Sequence, residues 1–164
     1  AVHDSSSVTY PVFTAIAAPE VQNKLNGDFA IIAGPYLQNL ATGGCELDYT
    51  LTFVSEKFIS MVFFGVLDEG EKEIFAKIPL NIDVQTGAQL ALGDVLNLRD
   101  ADLLPVLRLL TKKDKVDFSK GIPESWYYNG TNFVFCQRSE TGEWLEATVA
   151  ASDLKKFLLK PELF

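Results

Sequence analysis

Residues 78 to 96 have the sequence Ile78-Pro-Leu-Asn-Ile-Asp-Val-Gln-Thr-Gly-Ala-Gln-Leu-Ala-Leu-Gly-Asp-Val-Leu96. Alternating apolar residues at its start predict a strand, and Thr86-Gly87 predicts a turn into a short return strand. Asp83 and Asp94 flank that turn. We assign them to turn and helix-cap hydrogen bonds, because short carboxylate side chains accept from nearby backbone N–H groups. The segment therefore defines architecture, and it contains no recognisable catalytic group.

Two further strand patterns precede this segment. Residues 46–54 alternate apolar and polar side chains, which predicts one buried face and one solvated face. Residues 58–67 are apolar at almost every position, as expected for a central strand covered on both faces. The connections at 55–57 and 68–72 are too short for parallel strands, which need a crossover of about a dozen residues or more. The three strands are therefore expected to form an antiparallel meander.

The N-terminal part predicts an edge strand followed by a helix. Val8-Thr-Tyr-Pro-Val-Phe13 has a strand pattern that its Pro11 restricts to an edge or a strand end. Pro19-Glu20 is a helix-start signal, and Gly34-Pro35 is expected to stop or kink that helix. The apolar face of the helix consists of Val21, Leu25, Phe29 and Ile32.

The C-terminal part predicts two hairpins between two helices. Asp102 is a plausible cap for the first helix, and Ser152 or Asp153 for the last one. Asn129-Gly130 lies between segments rich in β-forming residues and predicts a type I′ turn, in which both central residues have positive φ. Thr141-Gly142 predicts the second hairpin turn.

Together these elements predict one α+β domain, an antiparallel sheet meander of about six strands with two or three helices packed on it. The domain covers residues 8–164, and residues 1–7 form a polar lead-in or tether. A chain of 164 residues fits one domain with a sizeable core. Its 48% hydrophobic and 22% charged residues are ordinary for a globular protein and argue against disorder.

The charge balance excludes one class of partner. The formal net charge of −8 repels phosphate backbones, so we expect no nucleic-acid binding. The same charge favours a cationic partner, although a net charge also serves simple solubility.

The chain contains no membrane span by its hydropathy. The longest apolar run, Phe58–Leu67, is about half of the ~20 residues that a spanning helix needs. Because the first residue is Ala1 rather than Met, we expect that an export signal, a membrane anchor or a tag has been lost upstream.

Cys45 and Cys136 leave two alternatives open. In an exported protein they are a possible disulfide, and otherwise they are two separate buried thiols that pack as small apolar side chains. Two cysteines and the single His3 are too few for a structural zinc site. We expect no metal and no cofactor.

The sequence lacks the residues that nucleophilic catalysis requires. His3 is the only histidine and lies in the polar lead-in, so a serine or cysteine nucleophile has no imidazole base. The sequence contains no nucleophile elbow, no phosphate-binding glycine loop and no Cys-x-x-Cys pair. We therefore assign no catalytic residue and expect a non-enzymatic protein.

A cluster of acids and an aromatic run are the candidate contact residues. Asp68, Glu69, Glu71 and Glu73 surround one predicted hairpin turn and could clamp a basic protein, bind a divalent cation or serve as an acid-base pair. The alternative is a solvated turn that keeps a sheet end from aggregating. Trp126-Tyr-Tyr128 precedes the Asn129-Gly130 turn, and alternation sends Tyr127 to the face opposite its neighbours. Exposed contact or core packing are both open for Tyr127 and Tyr128.

Several blocks together resemble the RsiV-like extracytoplasmic domain of unknown function, the C-terminal domain family of anti-sigma-V factors that also occurs with polysaccharide deacetylases. Asn-x-Asp-x-x-Thr-Gly at 81–87, followed by Leu-x-Asp at 92–94, is the most specific part. The other matching blocks are Val8–Phe13, Phe58–Phe63, Trp126–Tyr128, Phe133–Phe135 and the closing helix. The chain departs from many relatives at Asp68–Lys72, where they carry a Gly-Gly-Ala-His-like motif.

The resemblance implies a bacterial envelope protein, either secreted or membrane-tethered. The anti-sigma-V domain is a receptor for lysozyme, whose binding exposes the anti-sigma factor to proteolysis. We therefore expect a non-enzymatic extracytoplasmic sensor or binding domain that engages a cationic protein such as lysozyme, or a cell-wall component. The alternatives are a carboxylate-dependent enzyme or enzyme accessory domain acting on cell-wall glycan, and a structural spacer without a ligand.

Overall fold

The computed structural model describes residues 6–14, 16, 18–41, 44–68 and 73–164. Three α-helices and eight strands lie in these residues, together with three short 3-10 helices. In chain order they are β1 (Ser7–Val8), α1 (Pro19–Asn39), β2 (Cys45–Val54), β3 (Phe58–Asp68), β4 (Glu73–Asp83), β5 (Ala88–Gln89), α2 (Leu92–Val95), α3 (Leu103–Leu110), a 3-10 helix (Phe118–Lys120), β6 (Ser125–Tyr128), β7 (Asn132–Arg138), β8 (Trp144–Ala150), and 3-10 helices at Ala151–Phe157 and Pro161–Leu163.

The strands form two sheets. The first has the order β1-β2-β3-β4-β5 and the second the order β6-β7-β8. β1 runs parallel to β2, and the other neighbouring strands are antiparallel. The predicted α+β class is thus correct and the β2–β3–β4 meander is present. The single antiparallel sheet of about six strands is only approximate, because local patterns do not reveal that the chain leaves the first sheet after β5.

The first strand is shorter than its pattern predicts. Only Ser7 and Val8 pair with β2, and Thr9 N–H adds one more bond to the Leu47 carbonyl. Farther along, the Asn26 side chain binds both the N–H and the carbonyl of Phe13, at 2.8 and 2.9 Å. At Phe13, a helix side chain therefore forms the backbone hydrogen bonds that a neighbouring strand would otherwise form.

Helix α1 starts at Pro19 as predicted, but Gly34-Pro35 does not end it. Pro35 lies inside the helix, which continues to Asn39. The packed face continues past the proline, since Tyr36 is buried against the sheet at 4% exposure. In addition, Asn39 Nδ2 donates to the Pro35 carbonyl at 2.8 Å. The burial of Tyr36 offsets the local cost of an internal proline.

Two apolar cores lie on opposite faces of the first sheet. One is enclosed between α1 and the face that carries Leu47, Met61, Phe63 and Ile82. The other joins Phe58 of that sheet's opposite face to the inner face of the second sheet and to the C-terminal helices. Its largest fully buried side chains are Phe58, Leu96, Leu103, Leu107, Phe133, Phe135 and Phe157.

A buried polar joint connects the two sheets. Ser60 and Asn81 are directly opposed in β3 and β4, and Ser60 Oγ donates to Asn81 Oδ1 at 2.7 Å. Asn81 Nδ2 donates to the Trp126 carbonyl at 2.7 Å, and Tyr128 N–H donates to Ser60 Oγ at 2.8 Å. These bonds hold β6 against the first sheet and satisfy buried polar groups on both sides.

Candidate functional site

The β3–β4 hairpin extends beyond the part of the sheet that β6 covers. On the face towards β6, Phe58, Ser60 and Val62 are buried, whereas Phe64 is 44% exposed. Phe75 follows on the neighbouring strand and is 51% exposed. Exposed rings on one face of a sheet leave an apolar surface available for contact.

A groove of about 470 Å³ lies over this uncovered face, and we name it the hairpin groove. Its walls come from β2, β3 and β4 and from the start of β8, where Trp144 lies half-buried. The lining residues are Glu46, Asp48, Phe64, Gly65, Val66, Phe75, Ala76, Lys77 and Trp144. Tyr36 covers the other side of the sheet at this point, because its phenol ring lies against Gly65.

Strand register brings four carboxylates to this face. Glu46 is opposed to Val66, and Asp48 to Phe64, so both acids share the face with the exposed rings. Asp68 and Glu73 are opposed to each other at the end of the same face. Four acidic residues in the described part of the chain therefore share one face of the sheet. The predicted Asp68 and Glu73 therefore belong to the groove face, while the predicted Glu69 and Glu71 lie outside the described residues.

Among the residues that the structure describes, Lys77 is the only cationic side chain that lines the groove. It forms an ion pair with Glu146, to which the Tyr127 hydroxyl also donates at 3.0 Å. The Lys77 ammonium lies 5.6 Å from the ring centroids of both Phe64 and Tyr127. With only 12% of its side chain exposed, Lys77 is held at the base of the groove and its charge is already neutralised. The exposed carboxylates therefore give the groove a negative charge.

The two tyrosines proposed as contacts lie in different environments. Tyr127 is half-buried beside the Lys77–Glu146 pair, and burial, followed by the charge of Glu146, raises the pKa of its phenol. Tyr128 is 4% exposed and packs on the rings of Phe53 and Phe164, each at 5.0 Å between centroids. Of the two alternatives that the sequence left open for Tyr128, the structure shows core packing, because strand alternation turns this side chain inward.

The residues assigned structural roles make backbone bonds. Asp83 Oδ1 accepts from the N–H groups of Gln85 and Thr86, at 2.9 and 3.2 Å. Asp94 Oδ2 accepts from Ala91 N–H at 2.8 Å at the start of α2. Gly87 has a φ of +65°, and its carbonyl accepts from Lys24 Nζ.

The Asn129-Gly130 hairpin exists with a different turn. Asn129 N–H donates to the Asn132 carbonyl, which places Gly130 and Thr131 at the centre of the turn. Gly130 has a φ of +95°, whereas Asn129 does not have positive φ. The predicted type I′ turn is thus incorrect, and the Asn129 side chain instead accepts from Thr131 and Asn132 N–H groups.

Cys45 and Cys136 are two separate buried thiols rather than the possible disulfide. Cys45 begins β2 in the first sheet and donates to the Tyr36 carbonyl at 3.2 Å. Cys136 lies in β7 of the second sheet, and burial raises the pKa of its thiol to about 12.

Within the part of the chain that the structure describes, no group of three or more His, Cys, Asp or Glu side chains could hold a metal ion. In the same residues, no helix has both the length and the apolar character required to cross a bilayer.

The sequence did not identify several residues that line the groove, nor Glu146, the ion-pair partner of Lys77; the lining residues are Glu46, Asp48, Phe64, Phe75, Lys77 and Trp144. One signal was available, because alternation already placed Phe75 on the polar face of its strand. Glu46, Asp48 and Glu146 could not be grouped in advance, since their proximity depends on the pairing of distant strands.

Comparison with known proteins finds the same fold in solved structures. A DUF3298 family protein from Pseudomonas aeruginosa PAO1 aligns with a TM-score of 0.60 at 13% identity, covering 88% of this chain and 83% of its own. A DUF3298 member from Bacteroides fragilis aligns with a TM-score of 0.54 at 14% identity, covering 85% and 66%. The structural neighbours are thus members of a family of unknown function, and the likeness shows the fold alone. No protein-family model and no curated protein matches the sequence.

Proposed function

We propose that this chain is a non-enzymatic, RsiV-like extracytoplasmic sensor or binding domain of the bacterial cell envelope. Its hairpin groove engages a cationic protein, with a lysozyme-like protein as the leading candidate. One observation carries the proposal, namely that carboxylates and exposed aromatic rings share a single uncovered face of the sheet.

The carboxylates provide attraction and orientation. Glu46 and Asp48 are exposed on β2, and Asp68 and Glu73 follow on the same face. Complementary potentials of this kind accelerate association and reject partners of the wrong sign. The chain as a whole is also negative, with a formal charge of −8. Both the acids of the groove face and the net charge of the chain favour a basic protein as the partner.

The rings provide the contact area. Phe64, Phe75 and Trp144 border the same groove as Glu46 and Asp48. Buried aromatic side chains commonly dominate the binding energy of protein interfaces. An arginine side chain can stack on such a ring while its guanidinium reaches a neighbouring carboxylate. The groove therefore suits a surface rich in arginine or lysine.

The setting of the acids favours binding over catalysis. A catalytic general acid is a carboxyl group held in apolar surroundings that keep it protonated near neutral pH. Glu46 and Asp48 are both exposed to solvent instead. Location outside the cytoplasm, secreted or tethered, rests on the resemblance carried by blocks such as Leu80–Gly87.

Calorimetric titration with lysozyme at 20 and 300 mM salt tests the proposal. We expect binding at low salt that weakens strongly at high salt, because exposed charges separated by more than a Debye length are screened. Replacing Glu46→Gln and Asp48→Asn together should weaken binding about tenfold, the equivalent of about 1.4 kcal/mol.

A matched control is the pair Glu56→Gln and Glu124→Gln, which changes the net charge equally at exposed positions outside the groove lining. We expect this pair to leave the affinity within a factor of two. Absence of binding at 20 mM salt would show that lysozyme is not the partner. Equal losses of affinity in both double variants would show that the groove is not the binding site.

A second candidate is action on cell-wall glycan, as an accessory domain or a carboxylate-dependent enzyme. Glu46 and Asp48 are two positions apart on one strand and share a face, with Cα atoms about 7 Å apart, so their side chains can bring the carboxyl groups to the separation of about 5–10 Å found in a catalytic pair. Incubation with peptidoglycan fragments and analysis of the products distinguishes this candidate. Turnover that Glu46→Gln abolishes would replace the binding proposal.

A further inference from the structure

Positive charge is concentrated in one short segment of this acidic chain. Residues 108–120 contain five of the 14 basic residues, Arg108, Lys112, Lys113, Lys115 and Lys120, and only two acids, Asp114 and Asp117. All five basic side chains are exposed. The segment is therefore locally positive, while the rest of the chain carries the large negative charge.

The end of α3 exposes apolar side chains beside this charge. Thr111 caps the helix, because its N–H and its hydroxyl both donate to the Leu107 carbonyl, at 2.9 and 2.7 Å. Thr111 and Leu107 are buried, which anchors this turn to the core. The three residues between them are exposed, and two of these are apolar, Leu109 at 73% and Leu110 at 42% exposure.

Three exposed lysines, Lys112, Lys113 and Lys115, follow the two leucines in the turn after α3. Asp114 N–H donates to the Thr111 carbonyl, and Asp114 Oδ2 accepts from Thr148 N–H at 3.4 Å. These bonds hold the turn against β8. In the described part of the chain, Lys112, Lys113 and Lys115 take part in none of the ion pairs found.

Helix electrostatics explains only part of this pattern. Lysines at the end of a helix interact favourably with its negative terminus, which accounts for Lys112 and Lys113. That account does not explain why two adjacent leucines remain exposed. Exposed leucines followed by lysines supply the two contributions that bind a protein surface to an anionic bilayer, namely buried apolar area and attraction to anionic lipids.

We propose that residues Leu109–Lys115 form a docking site for an anionic lipid surface. Leu109 and Leu110 enter the headgroup region, and the three lysines contact lipid phosphates. The negative charge elsewhere does not prevent this, because the negative surface potential of the bilayer decays over about 8 Å at physiological salt. The site is separate from the hairpin groove, so this proposal stands independently of the proposed function.

Vesicle co-sedimentation of the full chain tests the site. We expect the protein to pellet with vesicles of phosphatidylglycerol and phosphatidylcholine at 50 mM salt. It should remain in the supernatant with pure phosphatidylcholine, and it should be released by 300 mM salt. Either Leu109→Ser with Leu110→Ser, or Lys112→Gln with Lys113→Gln and Lys115→Gln, should reduce the bound fraction at least fivefold.

The control replaces exposed apolar residues elsewhere, Val54→Ser and Leu159→Ser, which are 57% and 53% exposed. Circular dichroism melts establish that every variant is folded. Failure of the native chain to pellet with anionic vesicles at 50 mM salt would overturn the proposal. A loss caused by the lysine changes but not by the leucine changes would also overturn it, because the site would then be electrostatic only and would suit an acidic protein equally.

Discussion

The phenol ring of Tyr36 in α1 occupies the space that a side chain at position 65 of β3 would need. The absence of a side chain at Gly65 thus allows a ring of the helix to lie directly against the strand. Tyr36 is buried there at 4% exposure, and burial raises the pKa of its phenol. The contact supports the sheet directly behind the hairpin groove.

Gly65→Ala is expected to destabilise the protein, because a rigid ring supported by α1 cannot move aside cheaply. Overpacking of this kind typically costs about 1–3 kcal/mol. Urea denaturation measures the change. Gly27→Ala in α1 is the control, since no atom lies within 4 Å of its added Cβ. That substitution should stabilise the helix by about 0.5–1 kcal/mol. Equal effects of the two changes would contradict the contact.

Asn81→Ala should weaken the joint between the two sheets. It removes the donor to the Trp126 carbonyl and the acceptor of the Ser60 hydroxyl, and both partners are buried. Leaving buried polar groups unsatisfied costs about 1–3 kcal/mol. Denaturation in urea measures this loss as well. Asn23→Ala, at an exposed position of α1, should change stability by no more than about 0.7 kcal/mol, and in the stabilising direction. An unchanged midpoint for Asn81→Ala would argue against the joint.

The two thiols should be unreactive in the folded protein. Cys45 and Cys136 are 2% and 1% exposed and are not bonded to each other. A thiol reagent at pH 8 should therefore label neither cysteine in native buffer and both in denaturant, because the thiolate must be accessible to react. The melting temperature should be the same with and without a reductant. A lower melting temperature in reductant would reveal a disulfide.

Stability should fall at alkaline pH. The pKa of Cys136 rises from an ordinary value of 9.0 to about 12, chiefly through burial. Because the folded state holds this proton more tightly than the unfolded state, its contribution is fully present below pH 9 and is lost as the pH rises towards about 12. The raised pKa of Tyr127 acts in the same direction.

Thermal melts between pH 8 and pH 10.5 measure this loss. Cys136→Ala and Tyr127→Phe should each flatten the decline relative to the native chain, whatever their effect at pH 8. Parallel declines in all three proteins would show that other groups cause it.

Local patterns predicted the elements well where one face of an element is buried. The meander β2–β3–β4 follows from alternation and short connections, and α1 begins at the proline that marks its first turn. Two local predictions differ from the structure, namely the end of the helix at Pro35 and the type I′ turn at Asn129. Burial of Tyr36 carries the helix past Pro35, and a turn centred on Gly130 replaces the one expected at Asn129.

The candidate site could be predicted only in part. Asp68 and Glu73 were identified from their position in a hairpin turn, and Tyr127 from alternation. The grouping of Phe64, Trp144 and Glu146 depends on the position of β8 beside the β3–β4 hairpin. Trp144 is 80 positions from Phe64 along the chain, and no local pattern encodes that proximity.

The amino-acid sequence by itself determined the acidic character of the chain, the periodicity of its strands and helices and the glycine turns. Each of these depends on side-chain chemistry within a few neighbouring residues. Only the tertiary structure decided which acids share a face, which aromatic rings remain exposed and where the two sheets meet. Those properties depend on strand register and on β6 covering one half of the first sheet while leaving the hairpin end uncovered, and they arise from contacts between residues far apart in the chain.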